Sequence, residues 1–279
     1  VNLRQALARA RSSLADSSIE DPSLEGEILL RHVLGIDRAR LYADLDINLS
    51  TKQEKALNEL LKRRERGEPT AYITGHREFY GLDFRVDRSV LIPRPETELL
   101  VELAIKAAKQ NKIKEIADIG TGCGAIAISL AINLPQVKVY ATDISKAALE
   151  VARLNSLRHG VADRVVLLHG DLLEPLKQPV EMIVANLPYV RQRDLMKNAS
   201  LSYEPVLALN GGASGLDRMR ALCQQAREKL NKPGHLILEI GEGQAKSMKT
   251  NLRKAFPEIA IEVHKDLAGI ERAVSLRLT

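Results

Sequence analysis

No apolar run in this 279-residue chain approaches the roughly 18 residues that a membrane-spanning helix needs, so no membrane span is expected. Cysteine is scarce. Cys123 and Cys223 are too few for a disulfide framework and fit a reducing, cytoplasmic setting. The histidines stand at no metal-ligand spacing from one another or from the cysteines, and no metal is expected. Low-complexity stretches are also lacking, which leaves an ordinary globular chain with room for one or two domains and a real core. Charge of neither sign dominates. A formal net charge of +5 and a pI near 9.1 mildly favour an acidic or nucleic-acid-associated partner, but such a balance is common in soluble enzymes.

What is present begins with helices. Arg4, Arg9 and Arg11 without an early acid resemble a transit peptide, yet Leu3, Ala6, Leu7, Ala10 and Leu14 form the stripe of an ordinary first helix. Asp21-Pro22 reads as an N-cap with proline at the first helical position, and Gly35 stops that helix. Ser50 with Gln53 forms a capping box for a helix whose apolar face is Ala56, Leu57, Leu60 and Leu61. Its basic end, Lys62 to Arg66 before Gly67, reads as a solvated helix terminus, with a partner-binding patch as the alternative. From Glu78 the period changes to two: Leu82, Phe84 and Val86 alternate with Asp83, Arg85 and Asp87, which predicts a short hairpin and a domain boundary. A helix from Pro95 to Gln110 with Leu99, Leu103 and Ala107 in register follows.

Residues 116–124 then read Ile-Ala-Asp-Ile-Gly-Thr-Gly-Cys-Gly. A buried strand runs into glycines at alternate positions and opens an apolar-faced helix, the usual nucleotide cradle of a doubly wound sheet. Asp143 lies about 20 residues on, where a ribose-binding acid belongs. At this point the cofactor is open between a nicotinamide dinucleotide and S-adenosylmethionine. Strands and helices alternate from here onwards, with strands at 137–142, 164–169, 180–185 and 235–240, a turn at 231–234, and closing strands near 259–264 and 273–278. That alternation predicts an α/β fold with a largely parallel sheet and helices on both faces. Asp118, Asp143, Asp171 and Asn186 fall at successive strand ends, where such sheets bind ligands. The stretch from Val190 to Ser214 has no clear period and reads as a functional loop.

Asn186-Leu187-Pro188-Tyr189 narrows the chemistry. An asparagine oxygen and the next backbone carbonyl offer two acceptors to the two hydrogens of a planar NH₂ group, with Tyr189 free to stack on its plane. This resembles the Asn-Pro-Pro-Tyr signature of amino-group methyltransferases that use S-adenosylmethionine. The departure is Leu187, where only a backbone carbonyl is needed, so function is expected to be retained.

Over essentially its full length the chain resembles the peptide chain release factor glutamine methyltransferases (PrmC/HemK). The resemblance rests on Glu27-Ile28-Leu29-Leu30, Gly67-Glu68-Pro69, Glu78-Phe79, Pro93-Arg94-Pro95-Glu96-Thr97-Glu98, the glycine loop, the Asn186 motif and Tyr203-Glu204-Pro205. It implies a Rossmann-like methyltransferase domain with a seven-stranded, mostly parallel sheet, its last strand antiparallel, preceded by a small helical domain. The implied division is a helical recognition domain over 1–76, a hairpin linker over 77–92 and the methyltransferase domain over 93–279. The implied substrate is the glutamine of a release factor's Gly-Gly-Gln tip, methylated on its amide nitrogen, with S-adenosylhomocysteine as co-product. Asn186, Leu187, Pro188 and Tyr189 are the expected catalytic residues. Gly120, Thr121, Gly122, Cys123, Gly124, Asp143, Asp171, Leu172 and Asn186 are expected to hold the cofactor. Arg94, Pro95, Glu96 and Glu98 join the Asn186 motif on the substrate side. A cytoplasmic monomer without a direct nucleic-acid partner is expected. The alternatives are an adenine-amine methyltransferase of DNA or RNA, a non-catalytic ribosome-associated module and, weakest, a nicotinamide dehydrogenase.

Overall fold

The computed structural model describes residues 1–17, 19–195 and 202–279. The chain forms two compact units, Val1–His76 and Arg77–Thr279.

The first unit is helical: α1 (Leu3–Asp16), α2 (Pro22–Leu34), α3 (Arg38–Ala43), α4 (Thr51–Glu65) and α5 (Thr70–Thr74). Asp21 accepts from the Leu24 amide at the start of α2, and Ser50 and Gln53 cap α4 reciprocally. Each such cap stabilises its helix by about 1 kcal/mol. The α1 stripe is buried at Leu3, Ala6, Ala10 and Leu14, against Leu29, Leu30, Leu57 and Leu61. The basic end of α4 is largely engaged within this unit. Lys62 pairs with Glu59 at 3.2 Å, Arg63 with Glu68 at 2.7 Å and Arg64 with Glu25 at 2.6 Å. Glu27 is buried because Tyr42 donates to it at 2.9 Å and Arg31 and Arg38 balance its charge.

The hairpin strands β1 (His76–Phe79) and β2 (Leu82–Arg85) pair with each other, and Phe79, Phe84 and Val86 are buried. The main sheet comprises β3 (Glu115–Ile119), β4 (Lys138–Asp143), β5 (Val165–His169), β6 (Val180–Ala185), β7 (Leu230–Glu239), β8 (Ile261–Lys265) and β9 (Glu271–Leu278). It is seven-stranded, in the order β5-β4-β3-β6-β7-β9-β8. The pairs from β5 to β7 are parallel, and β9 runs antiparallel to both β7 and β8. The helices of this unit are α6 (Glu98–Asn111), α7 (Ala125–Asn133), α8 (Lys146–Arg158), α9 (Gln192–Leu195), α10 (Val206–Leu209), α11 (Asp217–Lys229) and α12 (Ala245–Ala255).

Three expectations change. The first turn of the helix expected from Pro95 is a 3₁₀ turn, Pro95–Thr97, and α6 buries Leu100, Val101, Ala104 and Ala108, while Leu99, Leu103 and Ala107 stay half-buried. Apolar side chains at 99, 100, 101, 103, 104 and 105 support either arc, and packing on α7 and β7 selects the second. The turn expected at 231–234 is absorbed into β7 as a register shift against β6 between Val180 and Met182. The stretch expected to be a loop carries the short helices α9 and α10, and its residues 196–201 lie outside the described residues.

Candidate active site

The chain leaves β3 towards β4 and β5 on one side of the sheet and builds β6 and β7 on the other, so β3 and β6 are neighbours at the switch point. Connections leaving such a pair diverge and open a crevice at the strands' carboxyl ends. The glycine loop follows β3 and Asn186 follows β6. Between them lies a cleft of about 1070 Å³, open solvent at its mouth included. A second cavity of about 540 Å³ adjoins it and shares Leu91, Arg94, Asn186, Leu187, Pro188 and Ala208.

The loop is fixed by its backbone. The Gly120 and Thr121 amides both donate to the Thr142 carbonyl at 2.9 Å. The Gly122 amide donates to Asp143 Oδ2 at 2.9 Å, and the Ser145 amide donates to Oδ1 at 2.8 Å. Gly122 has φ 55°, and a Cβ there would meet nothing within 4 Å, so the loop keeps open space where it lines the cleft. Gly124, at φ 85°, is different. It does not line the cleft; a Cβ would come within 2.9 Å of Ile128 Cδ1 and 3.3 Å of Ala152 Cβ. This glycine is required by the entry into α7 and its packing on α8. Asn155, buried on α8, donates to the Cys123 carbonyl at 2.8 Å and exchanges hydrogen bonds with the Arg85 backbone.

The four strand-end residues do not all reach the cleft. Asp143, Asp171 and Asn186 line it, but Asp118 lies beneath the loop, accepting from Thr121 Oγ1 at 2.7 Å and the Ala127 amide at 3.1 Å. Burial pushes its carboxyl up to about 7, against the pull of those two donors. Asp171 meets the Arg218 guanidinium, which also lines the cleft, and Leu172 beside it is held at φ 49°. Cys123 lines the cleft as a neutral thiol, since burial pushes it up to about 12.

Asn186 donates from Nδ2 to Thr97 Oγ1 at 3.0 Å. Its Oδ1 and the Leu187 carbonyl take no hydrogen bond among the described residues, which leaves two acceptors free on consecutive residues. The Leu187 side chain is buried in the sheet's apolar core and packs over Gly120, so its replacement of proline changes the core and leaves the carbonyl available. Tyr189 lines the smaller cavity and donates from Oη to Glu239 Oε1 at 3.3 Å, while Gln244 Nε2 donates to its carbonyl at 3.0 Å. Burial pushes the Tyr189 phenol up, and the Glu239 and Glu96 charges push the same way.

The Arg94–Glu98 stretch divides. Arg94 lines both cavities and pairs with buried Glu204, which also accepts from the Ile92 amide at 3.2 Å. Pro95 and Glu96 line neither cavity, and Glu98 turns away to accept from the Tyr80 amide at 2.8 Å, serving the hairpin turn. Thr97, which separates Glu96 and Glu98, reaches the cleft as Arg94 does. Thr97, Asn155, Arg218 and Glu239 were not legible as site residues. Each lies far along the chain from the residue it supports, and no local period marks it. Among the described residues, no group of three or more His, Cys, Asp or Glu side chains is placed to hold a metal.

Comparison with known proteins adds the following. Residues 5–75 match the family described as the PrmC N-terminal domain, and residues 95–202 match the methyltransferase small domain. A release factor glutamine methyltransferase of Moorella thermoacetica is 43% identical over 98% of this chain and 97% of its own length. One from Coxiella burnetii is 37% identical over 99% of both chains. Among solved structures, the hMettl16 catalytic domain in complex with a 3′UTR hairpin aligns with TM-score 0.56 at 14% identity, covering 84% of each chain. A T. thermophilus 16S rRNA methyltransferase in complex with AdoMet and guanosine aligns with TM-score 0.55 at 17% identity, covering 73% of this chain and 50% of that one. At such identities the structural likeness speaks for the fold alone.

Proposed function

Because the chain belongs to the release factor glutamine methyltransferase family, we propose that it methylates, in the cytoplasm, the side-chain amide nitrogen of the glutamine in a release factor's Gly-Gly-Gln tip. The observation that carries this reading is the pair of free acceptors at Asn186 Oδ1 and the Leu187 carbonyl, beside the glycine-loop cleft. Two acceptors match the two hydrogens of an amide NH₂.

S-adenosylmethionine would supply a methyl group on a sulfonium in the larger cleft. The residues present fit it: the cleft-lining loop Gly120–Cys123, open at Gly122, for its amino-acid end, the anchored Asp143 carboxylate for ribose hydroxyls, and Asp171 with Leu172 for the adenine. Asn186 and Leu187 would orient the glutamine amide, with Pro188 and Tyr189 closing the smaller cavity around it. An amide nitrogen is a poor nucleophile, and among the described residues no histidine or lysine lines either cavity. Orientation in a fixed dipolar pocket therefore carries the acceleration, a contribution that reaches roughly 7–11 kcal/mol for aligned reactants. The helical unit over 1–76, which carries the PrmC N-terminal match, would recognise the release factor, and residues 77–92 would link it to a catalytic domain over 93–279.

Mass spectrometry of a release factor after incubation with the protein and S-adenosylmethionine tests this reading. A methyl mass on the Gly-Gly-Gln glutamine is the expected result. An unmodified glutamine, with label transferred instead to an adenine-containing duplex, would overturn it.

A further inference from the structure

Glu239 ends β7, the strand paired with β6 from which the Asn186 motif leaves, and is fully buried. It is a carboxyl group held out of water, and nothing in the reading above uses it. Its Oε1 accepts from the Tyr189 hydroxyl at 3.3 Å, while Oε2 has no hydrogen-bond partner among the described residues. A buried, half-satisfied carboxylate is costly, and such groups call for an explanation. The Thr97 hydroxyl supplies one. Thr97 draws the Glu239 carboxyl down, and its Oγ1 receives Asn186 Nδ2 at 3.0 Å.

We propose that Glu239 is a positioning residue, which acts through Thr97 to keep the Asn186 amide turned with its oxygen towards the substrate. The argument is one of donors and acceptors. An ionised carboxylate only accepts, so the Thr97 proton is drawn towards Glu239 and the Thr97 oxygen is left to accept. Only the NH₂ end of Asn186 satisfies that oxygen. Asn186 Oδ1 is then the end left for a substrate NH₂, together with the Leu187 carbonyl. If Glu239 becomes a donor, Thr97 can reverse, its proton can go to Asn186 Oδ1, and the amide flips. An NH₂ group then faces the NH₂ group it should receive. The same carboxylate holds the Tyr189 hydroxyl, so one acid sets two members of the motif.

The charges around Glu239 set when it is ionised. Burial pushes it up to about 7; Thr97 pulls it back, Glu96 raises it further, and Tyr189 and Arg272 pull it down. Arg272 is itself paired with Asp266 at 3.0 Å. The oriented state is therefore present above about pH 7 and fades as pH falls.

This inference rests on the methyltransfer reading, and its test separates the two. Glu239→Gln keeps the shape and removes the obligatory acceptor. It is expected to lower kcat/KM for the release factor roughly 10- to 100-fold with S-adenosylmethionine affinity unchanged. It is also expected to flatten the acid limb of the pH profile. Asp118 titrates in the same range, so the diagnostic is the part of that limb the substitution removes. Thr97→Val should mimic Glu239→Gln, and Thr97→Ser should recover activity relative to Thr97→Val. Independently of turnover, the Asn186 side-chain amide resonances, assigned by their loss in Asn186→Ala, should shift with a midpoint near pH 7 in wild type and stay flat in Glu239→Gln. Wild-type kcat/KM with an unaltered acid limb in Glu239→Gln, or wild-type resonances that do not move between pH 6 and 8, would overturn the proposal. If wild type transfers no methyl to release factor, the functional reading fails while the resonances still decide this one.

Discussion

The glycine loop after β3 and the Asn186 segment after β6 sit on adjacent strands and face the same cleft, yet they are held by opposite means. The loop is held through its own backbone groups, mostly by partners nearer in sequence, with Asn155 on the Cys123 carbonyl as the distant exception. Gly122 leans on Asp143, 21 residues on, and Asp118 clamps Thr121 from 3 residues before. The Asn186 segment is held by side chains from afar: Thr97 lies 89 residues from Asn186, and Glu239 and Gln244 lie 50 and 55 residues from Tyr189. A backbone cradle suits a cofactor whose recognition consists of shape and generic hydrogen bonds. An oriented amide needs a chosen face, and only a network of side chains supplies one.

The comparison can be broken most severely at Asn186. Asn186→Ala should lower kcat/KM for release factor roughly 100- to 1000-fold while leaving thermal stability close to wild type, as steady-state kinetics and a melting curve will show. A variant as active as wild type would remove the side chain from the mechanism. Gly124→Ala attacks the other region and should do the reverse. A left-handed φ and a 2.9 Å approach to Ile128 predict a loss of about 1–3 kcal/mol in urea unfolding, with turnover of the folded fraction nearly intact.

Asp118→Asn sharpens the contrast with the smallest shift. The folded carboxyl is raised to about 7 from 3.8, so its contribution is complete below about pH 4 and is lost as pH rises through 7. Between pH 5.5 and 8, the stability difference should therefore move in the variant's favour by on the order of 2 kcal/mol. A difference independent of pH would show that Asp118 is not the buried proton acceptor beneath the loop.

Much of the fold was legible because its signals are local. Caps at Asp21 and Ser50, the Gly35 stop and the alternation of strands with helices are read within a few residues. The phase of α6 was not, because its apolar side chains cover more than one arc and the neighbouring α7 and β7 choose between them. In the site, Gly120–Cys123, Asp143, Asp171, Leu172 and the Asn186 segment were all expected at the cleft or the cavity beside it, and the structure places them there. Gly124 and Glu98 share the same local motifs but serve helix packing and a hairpin turn.

By itself the sequence determined the order of strands and helices, the backbone conformation of the loop and the type of group Asn186 could present. These depend on residue type and short spacing, which are written along the chain. Tertiary structure alone decided which face Asn186 presents and which acids reach the cleft. The first depends on Thr97 and, behind it, Glu239, and the second on the way the sheet and its helices pack, with Arg218 of α11 meeting Asp171. Such contacts arise from the winding of the sheet, and a linear pattern carries no record of them.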